Sequence, residues 1–287
     1  EAFVKRKNWA IADHYLQQAT ESGLQTLDHR QCHLRVKLER RHFAEAIPLF
    51  QADGMIPDTV TVDQLLAFAH ACWLEHGLDA LAEQINDLAY ARDPRNPRVL
   101  AQRCMSSLRY VYQSSEEIEQ CRARYAQRLT ALHELVDSDP ARLTGLSRAL
   151  SVRQPFQLAY QGRDDLDLQR LYGALICRAA EHDYPTLATL PARPAAPATA
   201  DGRIRIGIVS GYMRAHSNWK LRRSWLRDID RRRFHLTGYY LDTMFDSVTM
   251  IDQEYFDNFV FGLGDVWGYA NKILEDQPDV LIYLELG

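Results

Sequence analysis

An apolar run at residues 204–209, reading IRIGIV, marks the point at which the pattern of this chain changes. The run is typical of a buried β-strand, and it stops at Ser210-Gly211. A polar loop that contains His216 follows, and an amphipathic helix begins after it. The sequence before this run is typical of helices throughout. Because ligands of open α/β sheets bind beyond the carboxyl ends of the strands, the loop with His216 is a candidate site.

A repeat of 34 residues predicts the architecture of the first half. It consists of an aromatic residue, a small residue three positions on and a large apolar residue four further. The two copies of this pattern are Trp9, Ala12 and Leu16, then Phe43, Ala46 and Phe50. A third copy fits after a slip of two residues, where Gly77, Ala82, Ala89 and Pro94 have the relative offsets of a repeat's second helix and its terminal proline. This spacing suits helix-turn-helix units of the tetratricopeptide type, in which a small residue lets two helices approach closely. We therefore predict tetratricopeptide-like repeats over residues 1–140.

Residues 141–184 are predicted to form a helical bridge, and residues 185–202 a semi-extended linker of prolines and alanines. Helical patterns cover residues 98–112, 116–136, 142–150 and 166–180. Ser114-Ser115 can cap the second of these helices, with Glu117 as its capping-box partner. Residues 154–165 mix aromatic and polar side chains. They are either a connection that turns at Gly162 or a surface that docks the next domain.

Strands and helices alternate from residue 203 to residue 287. We predict strands at 203–209, 234–241, 256–261 and 280–284, and helices at 219–229 and between Asp265 and Pro278. Leu221, Trp225 and Ile229 recur every four residues and predict the apolar face of the first of these helices. The alternation implies parallel pairing in a Rossmann-like sheet. The predicted fold class is α+α/β, an all-α repeat domain followed by the first part of a Rossmann-like domain.

The composition excludes several classes of protein. The net charge of −4 argues against a dedicated nucleic-acid binder. No run approaches the roughly 18 apolar residues of a membrane span, and no signal peptide opens the chain. We therefore expect a cytoplasmic protein with neither nucleic acid nor membrane as a partner. The five cysteines lack C-x-x-C spacing and are expected to be buried thiols.

Two local patterns have simple interpretations. Gly262-x-Gly264-x-x-x-Gly268 resembles a dinucleotide fingerprint. Its third glycine is one residue late, and Asp265 would repel a pyrophosphate, so we reject a nicotinamide site. Clustered metal-ligand patterns are absent from the sequence, and no metal is expected.

Charge is unevenly distributed in the second half. Residues 203–235 hold ten Lys/Arg against two Asp, whereas residues 236–287 hold ten Asp/Glu against one Lys. A basic stretch beside a crevice could steer an anionic ligand. The favoured interpretation is that the arginines are solvated and pair with the acidic stretch.

His216 differs from the other nine histidines because it lies in the loop at the end of the first strand. An imidazole there can take a proton from a hydroxyl or amide, or hydrogen-bond to one. For the other histidines a surface or packing role is favoured.

At these residues the sequence resembles a known family. Residues 206–221, IGIVSGYMRAHSNWKL, resemble the opening of the catalytic region in the O-linked N-acetylglucosamine transferase and SPINDLY family and in related bacterial N-glucosyltransferases. Residues 155–163, PFQLAYQGR, are similar to the bridge that these bacterial relatives carry between repeats and catalytic domain. Residues 281–287, LIYLELG, resemble the strand that ends at the acceptor side of the cleft. The order of these segments is more specific than any one of them.

The resemblance implies a metal-independent GT-B glycosyltransferase with two Rossmann-like domains. Such enzymes transfer sugar with inversion from a UDP donor, here UDP-GlcNAc or UDP-glucose, to an acceptor protein or peptide, and they need no tightly bound cofactor. His216 matches the family histidine assigned as base or acceptor positioner. Glu285 falls where the family has a polar residue near the acceptor. The loop residues that would shape the pocket are Ser210, Gly211, Tyr212 and Ser217.

The family's second Rossmann-like domain, which supplies most contacts to the nucleotide, has no counterpart in these 287 residues. The chain also starts at Glu1 without methionine and stops at Gly287 just after an apolar run. We therefore expect a fragment that lacks the C-terminal GT-B domain and does not transfer sugar alone, because half the cleft is missing. The rival hypothesis is a non-catalytic repeat scaffold that binds protein segments in a concave groove.

Overall fold

A computed structural model describes residues 2–152, 154–189 and 202–285. The chain divides into two compact units, Glu1–Thr189 and Leu190–Gly287. The helices of the first unit are α1 (Ala2–Lys5), α2 (Trp9–Glu21), α3 (Leu27–Glu39), α4 (Phe43–Asp53), α5 (Val62–Leu74), α6 (Asp79–Arg92), α7 (Pro97–Met105), α8 (Ser115–Ser138), α9 (Leu146–Ser151), α10 (Leu166–Asp183) and α11 (Pro185–Ala188). Two 3₁₀ segments, Pro140–Leu143 and Phe156–Tyr160, lie between them.

The helical repeat predicted from the sequence is present. Helices α2, α4 and α6 each carry an alanine at their fourth position, Ala12, Ala46 and Ala82, and all three are buried. Helix α3 packs against α4, and α5 packs against α6. A side chain as small as alanine lets two helix axes approach closely, so the same residue recurs where each pair of helices touches.

One continuous apolar core runs through the first unit. It extends along the chain from Leu34 to Ala179 and includes the fully buried Phe50, Phe68 and Leu129. The Phe50 and Phe68 rings meet edge to face, with centroids 6.1 Å apart. Because each helix buries its apolar face on the next, the repeats share one core along the stack.

The cap predicted for α8 is confirmed in part. Ser114 accepts a hydrogen bond from the Glu117 amide at 3.2 Å, as an N-cap serine does. The Glu117 carboxylate does not return the bond to Ser114. It accepts from the Gln113 amide at 2.6 Å and pairs with Arg109 instead. The nearby guanidinium explains this choice, since a charged partner makes a stronger hydrogen bond.

Two predicted helices of the first unit are wrong in extent. The helix predicted at 98–112 ends at Met105, where the hydroxyls of Ser106 and Ser107 donate to the Arg103 carbonyl and compete with the helical bonds. The helix predicted at 142–150 is interrupted at Gly145, whose φ is 72°.

Two further predictions concern the connection at residues 154–165 and the linker at residues 185–202. Gly162 has a φ of 63°, so the turn predicted at this position is confirmed. Within the predicted linker, Pro185–Ala188 forms a helical turn, whereas residues 190–201 lie outside the described residues.

The second unit is a four-stranded sheet with helices. Its strands are β1 (Ile204–Ser210), β2 (Phe234–Tyr240), β3 (Asn258–Phe261) and β4 (Val280–Tyr283), in the order β3-β2-β1-β4. All three pairings are parallel, as predicted. The helices are α12 (Ser217–Asp228), α13 (Ser247–Asp252), which was not predicted, and α14 (Val266–Asp276). Asp265 caps α14 by accepting from the Gly268 amide at 2.9 Å, as expected.

The predicted apolar face of α12 is wrong. Leu221 is 72% exposed and Trp225 is 65% exposed. The buried side of the helix consists of Trp219 and Leu226, which pack in one core cluster with Ile206. Trp219 and Leu226 are seven residues apart, about two helical turns, so helical periodicity fits this side as well and could not choose between the two faces.

The choice of face depends on a long-range hydrogen bond. The Trp219 indole N–H donates to the Asp252 carboxylate at 2.6 Å, and Asp252 is 1% exposed. The Arg223 guanidinium reaches the same carboxylate at 2.8 Å. A buried carboxylate requires such partners, and only this face of α12 supplies them.

Ion pairs join the basic stretch of the second half to its acidic stretch, as the favoured interpretation of the sequence predicted. Arginines from the basic stretch pair with carboxylates of the acidic stretch, namely Arg203 and Arg231 with Asp257, Arg205 with Asp279, Arg214 with Asp242 and Arg223 with Asp252. The basic stretch is therefore partly neutralised before any ligand binds.

The cysteines and the glycine-rich turn agree only partly with expectation. Cys72, Cys104 and Cys121 are buried free thiols, whereas Cys177 is exposed and Cys32 is half-buried.

Gly262 and Gly264 have φ values of 76° and 83° and turn the chain between β3 and α14. A Cβ on Gly268 would lie 2.6 Å from the Leu263 carbonyl oxygen, so these glycines have a conformational role.

In the part of the chain that the structure describes, no helix combines the length and apolarity that a membrane span requires.

Candidate functional site

The carboxyl ends of three parallel strands bring polar residues to one edge of the second unit. Ser210 is the last residue of β1, Asp242 follows β2 by two residues, and Glu285 follows β4 by two. An open depression of about 600 Å³ lies at this edge. It is lined by Val209, Gly211, Tyr212, Arg214, Leu241, Asp242, Tyr283 and Glu285.

Glu285 fixes the loop that follows β1. The Ser210 hydroxyl donates to one carboxylate oxygen at 3.0 Å, and the Gly211 amide donates to the other. The Ser210 oxygen in turn accepts from the Tyr212 amide at 3.0 Å. Ser210 is buried, at 2% exposure. Both carboxylate oxygens therefore already have partners, and these hydrogen bonds hold the end of β1 to the end of β4.

Arg214 and Asp242 form the opposite wall of the depression. The guanidinium donates to the carboxylate at 3.1 Å and lies 5.6 Å from the centre of the Tyr212 ring, over its face. Burial opposes the charged form of Asp242, but the Met244 and Thr243 amides and the guanidinium more than offset it. The pKa of this carboxyl is therefore lowered.

His216 is the N-cap of α12. Its Nδ1 accepts a hydrogen bond from the Asn218 amide at 3.2 Å. A backbone amide can only donate, so Nδ1 carries a lone pair and the neutral ring carries its proton on Nε2. The ring stacks on Tyr212, with centroids 4.2 Å apart and planes at 18°. In this arrangement His216 can donate from Nε2 to a ligand oxygen.

The segment before His216 is fixed by Asp246. This carboxylate accepts from the Ala215 amide at 2.8 Å and caps α13 by accepting from the Thr249 amide at 2.9 Å. These backbone hydrogen bonds, with that of Ala215 first, lower the pKa of Asp246. The loop from β1 to α12 is thus tied to β2 and β4 before any ligand binds.

The six residues predicted from the sequence do not all reach the depression. Gly211, Tyr212 and Glu285 line it. Ser210 lies buried and hydrogen-bonds to Glu285. His216 is half-buried behind Tyr212, and Ser217 is the exposed first residue of α12; neither belongs to the lining.

Five residues of the lining were not predicted from the sequence, and two of these, Arg214 and Asp242, are charged. Asp242 follows a strand by two residues, so the rule that drew attention to the end of β1 also applies to it. Arg214 lies inside the β1 loop, but only the fold shows which carboxylate it meets.

The charge of the depression limits what it binds. Its lining holds one cation, Arg214, against the carboxylates of Asp242 and Glu285, and the cation is already paired. A diphosphate would therefore meet net negative charge here. The lining suits a neutral or cationic ligand that presents hydroxyl or amide groups. Within residues 2–152, 154–189 and 202–285, no group of three His, Cys, Asp or Glu could hold a metal ion.

Comparison with solved structures finds matches that include a glycosyltransferase. A mutant O-GlcNAc transferase from Thermobaculum terrenum is 19% identical, with a TM-score of 0.49 over 96% of this chain and 45% of that chain. The chain thus spans less than half the length of that protein. No protein-family model matches the sequence, and neither does any curated protein. A likeness of this strength establishes neither a family nor an activity for this chain.

Proposed function

We propose that the second unit is the acceptor-side half of an inverting, UDP-sugar-dependent protein glycosyltransferase, joined to tetratricopeptide-like repeats. The observation that carries the proposal is the meeting of two segments at one sheet edge. The β1 loop with His216 and the end of β4 with Glu285 each resemble the glycosyltransferase family, and Glu285 hydrogen-bonds directly to Ser210 and Gly211. Segments 75 residues apart in sequence would not meet in this way by local structure alone.

The proposed reaction assigns each group a task. A lone pair of the acceptor hydroxyl or amide forms the new bond to the anomeric carbon as the bond from that carbon to the UDP oxygen breaks. UDP leaves with the electron pair, and the acceptor proton passes to solvent water. His216 lies outside the lining of the depression but stacks on Tyr212, which belongs to it. We assign its Nε2–H to an acceptor oxygen that reaches beyond Tyr212, because the Asn218 amide occupies Nδ1. Glu285 positions the loop, since both its oxygens accept from loop groups.

The donor nucleotide requires cations that the depression does not offer. We therefore place the UDP group on a C-terminal GT-B domain outside these residues, with this unit presenting the acceptor. Sugar transfer by the chain of 287 residues alone is not expected, since binding energy from the nucleotide is needed to orient the reacting groups.

The test uses the polypeptide encoded by the complete gene, with radiolabelled UDP-GlcNAc or UDP-glucose and a peptide library as acceptor. A His216→Asn variant keeps the N-cap, since asparagine also accepts from backbone amides, but loses the Nε2 donor. We expect kcat to fall by about 10²-fold or more. His235→Gln, in β2, is the matched control and should leave the rate unchanged. Equal rates for His216→Asn and the unaltered protein would remove His216 from the mechanism.

A second candidate function is a repeat scaffold that binds protein segments without catalysis. The observation that favours it is an open groove of about 530 Å³ on the first unit. It is lined from α3, α4, α5 and α7 by mixed polar and apolar residues that include Phe43, Gln64, Leu66, Arg98 and Gln102. In the experiment above, peptides retained by the protein with no transfer from either nucleotide sugar would favour this scaffold.

A further inference from the structure

An exposed apolar surface continues outward from the depression along the carboxyl ends of β2 and β3. We call it the apolar shelf; it consists of Leu241, Met244, Phe245, Phe261, Leu263 and Val266, which are 38% to 70% exposed. Leu241 belongs to both the shelf and the lining of the depression. The shelf is therefore continuous with the candidate site.

Contacts with neighbouring residues hold the exposed side chains of the shelf in place. The Phe245 and Phe261 rings lie 5.1 Å apart. Both rings also contact Phe259, which packs on the core under α12 and α13. On the α14 side of the sheet, the Tyr269 hydroxyl donates to the Tyr240 carbonyl and accepts from the Gly262 amide at 3.1 Å. The turn after β3 is thereby fastened to the end of β2. The exposed rings are held in place before a partner binds, which reduces the entropy cost of docking.

The segment of chain that forms the shelf carries only acidic charged residues. Residues 241–271 contain no Lys or Arg and six Asp/Glu, of which Asp242, Asp252 and Asp257 pair with arginines from other segments. Asp246 follows Phe245, and Asp265 precedes Val266. Both carboxylates accept backbone hydrogen bonds at helix starts, and within the described residues neither has an ion pair. A surface of aromatic side chains with such a rim favours a partner that is both cationic and apolar.

A second exposed apolar pair in the same unit provides a contrast. Leu221 and Trp225 on α12 are even more exposed, at 72% and 65%. Their neighbours along the helix are Lys220, Arg222 and Arg227. This pair therefore has a basic rim and would repel the partner that the shelf attracts.

We propose that the apolar shelf docks a polypeptide segment of the acceptor that combines Lys or Arg with aromatic side chains. The inference rests on the proposed function and deepens it, because it names the acceptor class. The docked segment would lead its hydroxyl or amide into the adjoining depression, whose net charge is also negative.

The test measures binding without any nucleotide sugar, by fluorescence anisotropy of labelled peptides on the polypeptide encoded by the complete gene. The probe is a 12-residue peptide of Arg, Trp, Ser and Gly. Two counterparts carry Glu in place of Arg, or Ser in place of Trp. We expect the first peptide to bind at least about tenfold more tightly than either counterpart.

Two kinds of variant locate the binding. The double variant Phe261→Ser with Val266→Ser should weaken binding about tenfold, and the matched control, Leu221→Ser with Trp225→Ser, should leave it unchanged. Asp265→Asn keeps the cap of α14, since asparagine is as good an N-cap as aspartate and only one oxygen of Asp265 accepts there, and should weaken binding about threefold. This variant remains informative if the serine variants fold poorly.

Three outcomes would overturn the inference: equal binding of the Glu-containing peptide, an equal loss in the α12 control, or a dimer by sedimentation that the shelf substitutions dissociate. The outcomes separate the two proposals. Peptide binding with the expected charge preference but without sugar transfer would contradict only the proposed glycosyltransferase activity. Sugar transfer that depends neither on peptide charge nor on the shelf substitutions would contradict only the proposed docking at the shelf.

Discussion

The helical unit and the α/β unit bury their apolar side chains in different ways. The helices from α3 to α10 share one core cluster. The sheet has a separate cluster on each of its faces, one under α12 and α13 and one under α14. Among the described residues, large exposed apolar side chains are about equally numerous in the two units, although the second unit is only about half as long as the first. A repeat buries its surface on its own neighbours, whereas the short sheet leaves surface available for partners.

The two units also differ in how they hold charge. In the helical unit, Asp13, His33 and Lys37 are all buried, with the Asp13 carboxylate 3.2 Å from His33 and 2.7 Å from Lys37. In the α/β unit, most arginine–aspartate pairs are partly exposed and join segments that are distant in sequence. The first unit thus holds one charged cluster in its interior, in addition to exposed pairs such as Arg98 with Asp63, whereas the pairs of the second unit lie mainly near the surface.

The largest expected effect tests the contrast in burial. Phe50→Ala removes a fully buried ring and should lower the free energy of unfolding by about 3–5 kcal/mol, because a cavity remains. Leu221→Ala, on the exposed face of α12, should change it by less than about 0.5 kcal/mol. Urea denaturation followed by circular dichroism measures both. A loss of more than about 2 kcal/mol for Leu221→Ala would show that this face of α12 is covered after all.

A smaller effect tests the buried charge of the helical unit. Burial, aided by Lys37 and opposed by Asp13, lowers the pKa of His33. As the pH falls below about 7, the unfolded chain binds a proton at His33 before the folded protein does. The free energy of unfolding should therefore decrease with falling pH, by at most about 1.4 kcal/mol per pH unit for this group.

The measurement for His33 is urea denaturation between pH 7.5 and 5.5. His33→Gln should make the stability less dependent on pH, whereas His14→Gln, at an exposed position, should not. An unchanged slope in His33→Gln would exclude this histidine as the source.

The smallest effect tests the surface charge of the α/β unit. Arg205 pairs with Asp279 at 2.9 Å, with both side chains partly exposed. Arg205→Gln should lower the free energy of unfolding by only about 0.2–1 kcal/mol, and about 1 M NaCl should remove most of the difference, because salt screens exposed pairs. A larger loss that persists in salt would mean that this pair behaves like the buried cluster of the helical unit.

Much of the fold could be predicted from local patterns. The recurrence of Ala12 and Ala46 located equivalent helices, and the strand–helix alternation gave the parallel sheet. Ser114 and Asp265 were correctly identified as caps, because capping depends on neighbours within one turn. Helix ends were less predictable. The hydroxyls of Ser106 and Ser107 donate to the Arg103 carbonyl and compete with the backbone hydrogen bonds of the helix. The spacing of apolar residues does not reveal this competition.

The candidate site was predictable only in outline. The ends of β1 and β4 drew attention to Ser210 and Glu285, and the structure joins these residues by a hydrogen bond. The sequence could not show that His216 accepts from Asn218 at Nδ1, or that Arg214 meets Asp242. Those contacts set the charge of the depression and the proton that His216 carries.

By itself, the sequence determined the repeating helices, the parallel sheet and the loop in which chemistry was expected, because these follow from periodicity and from hydrogen bonds between near neighbours. Only the tertiary structure decided which side of α12 is buried, which arginine each aspartate meets and which loop residues reach the depression. The physical reason is that the spacing of apolar and polar residues along the chain determines secondary structure but not which distant residues come into contact. The buried carboxylate of Asp252, for example, meets its partner Trp219, 33 residues away, only in the folded chain.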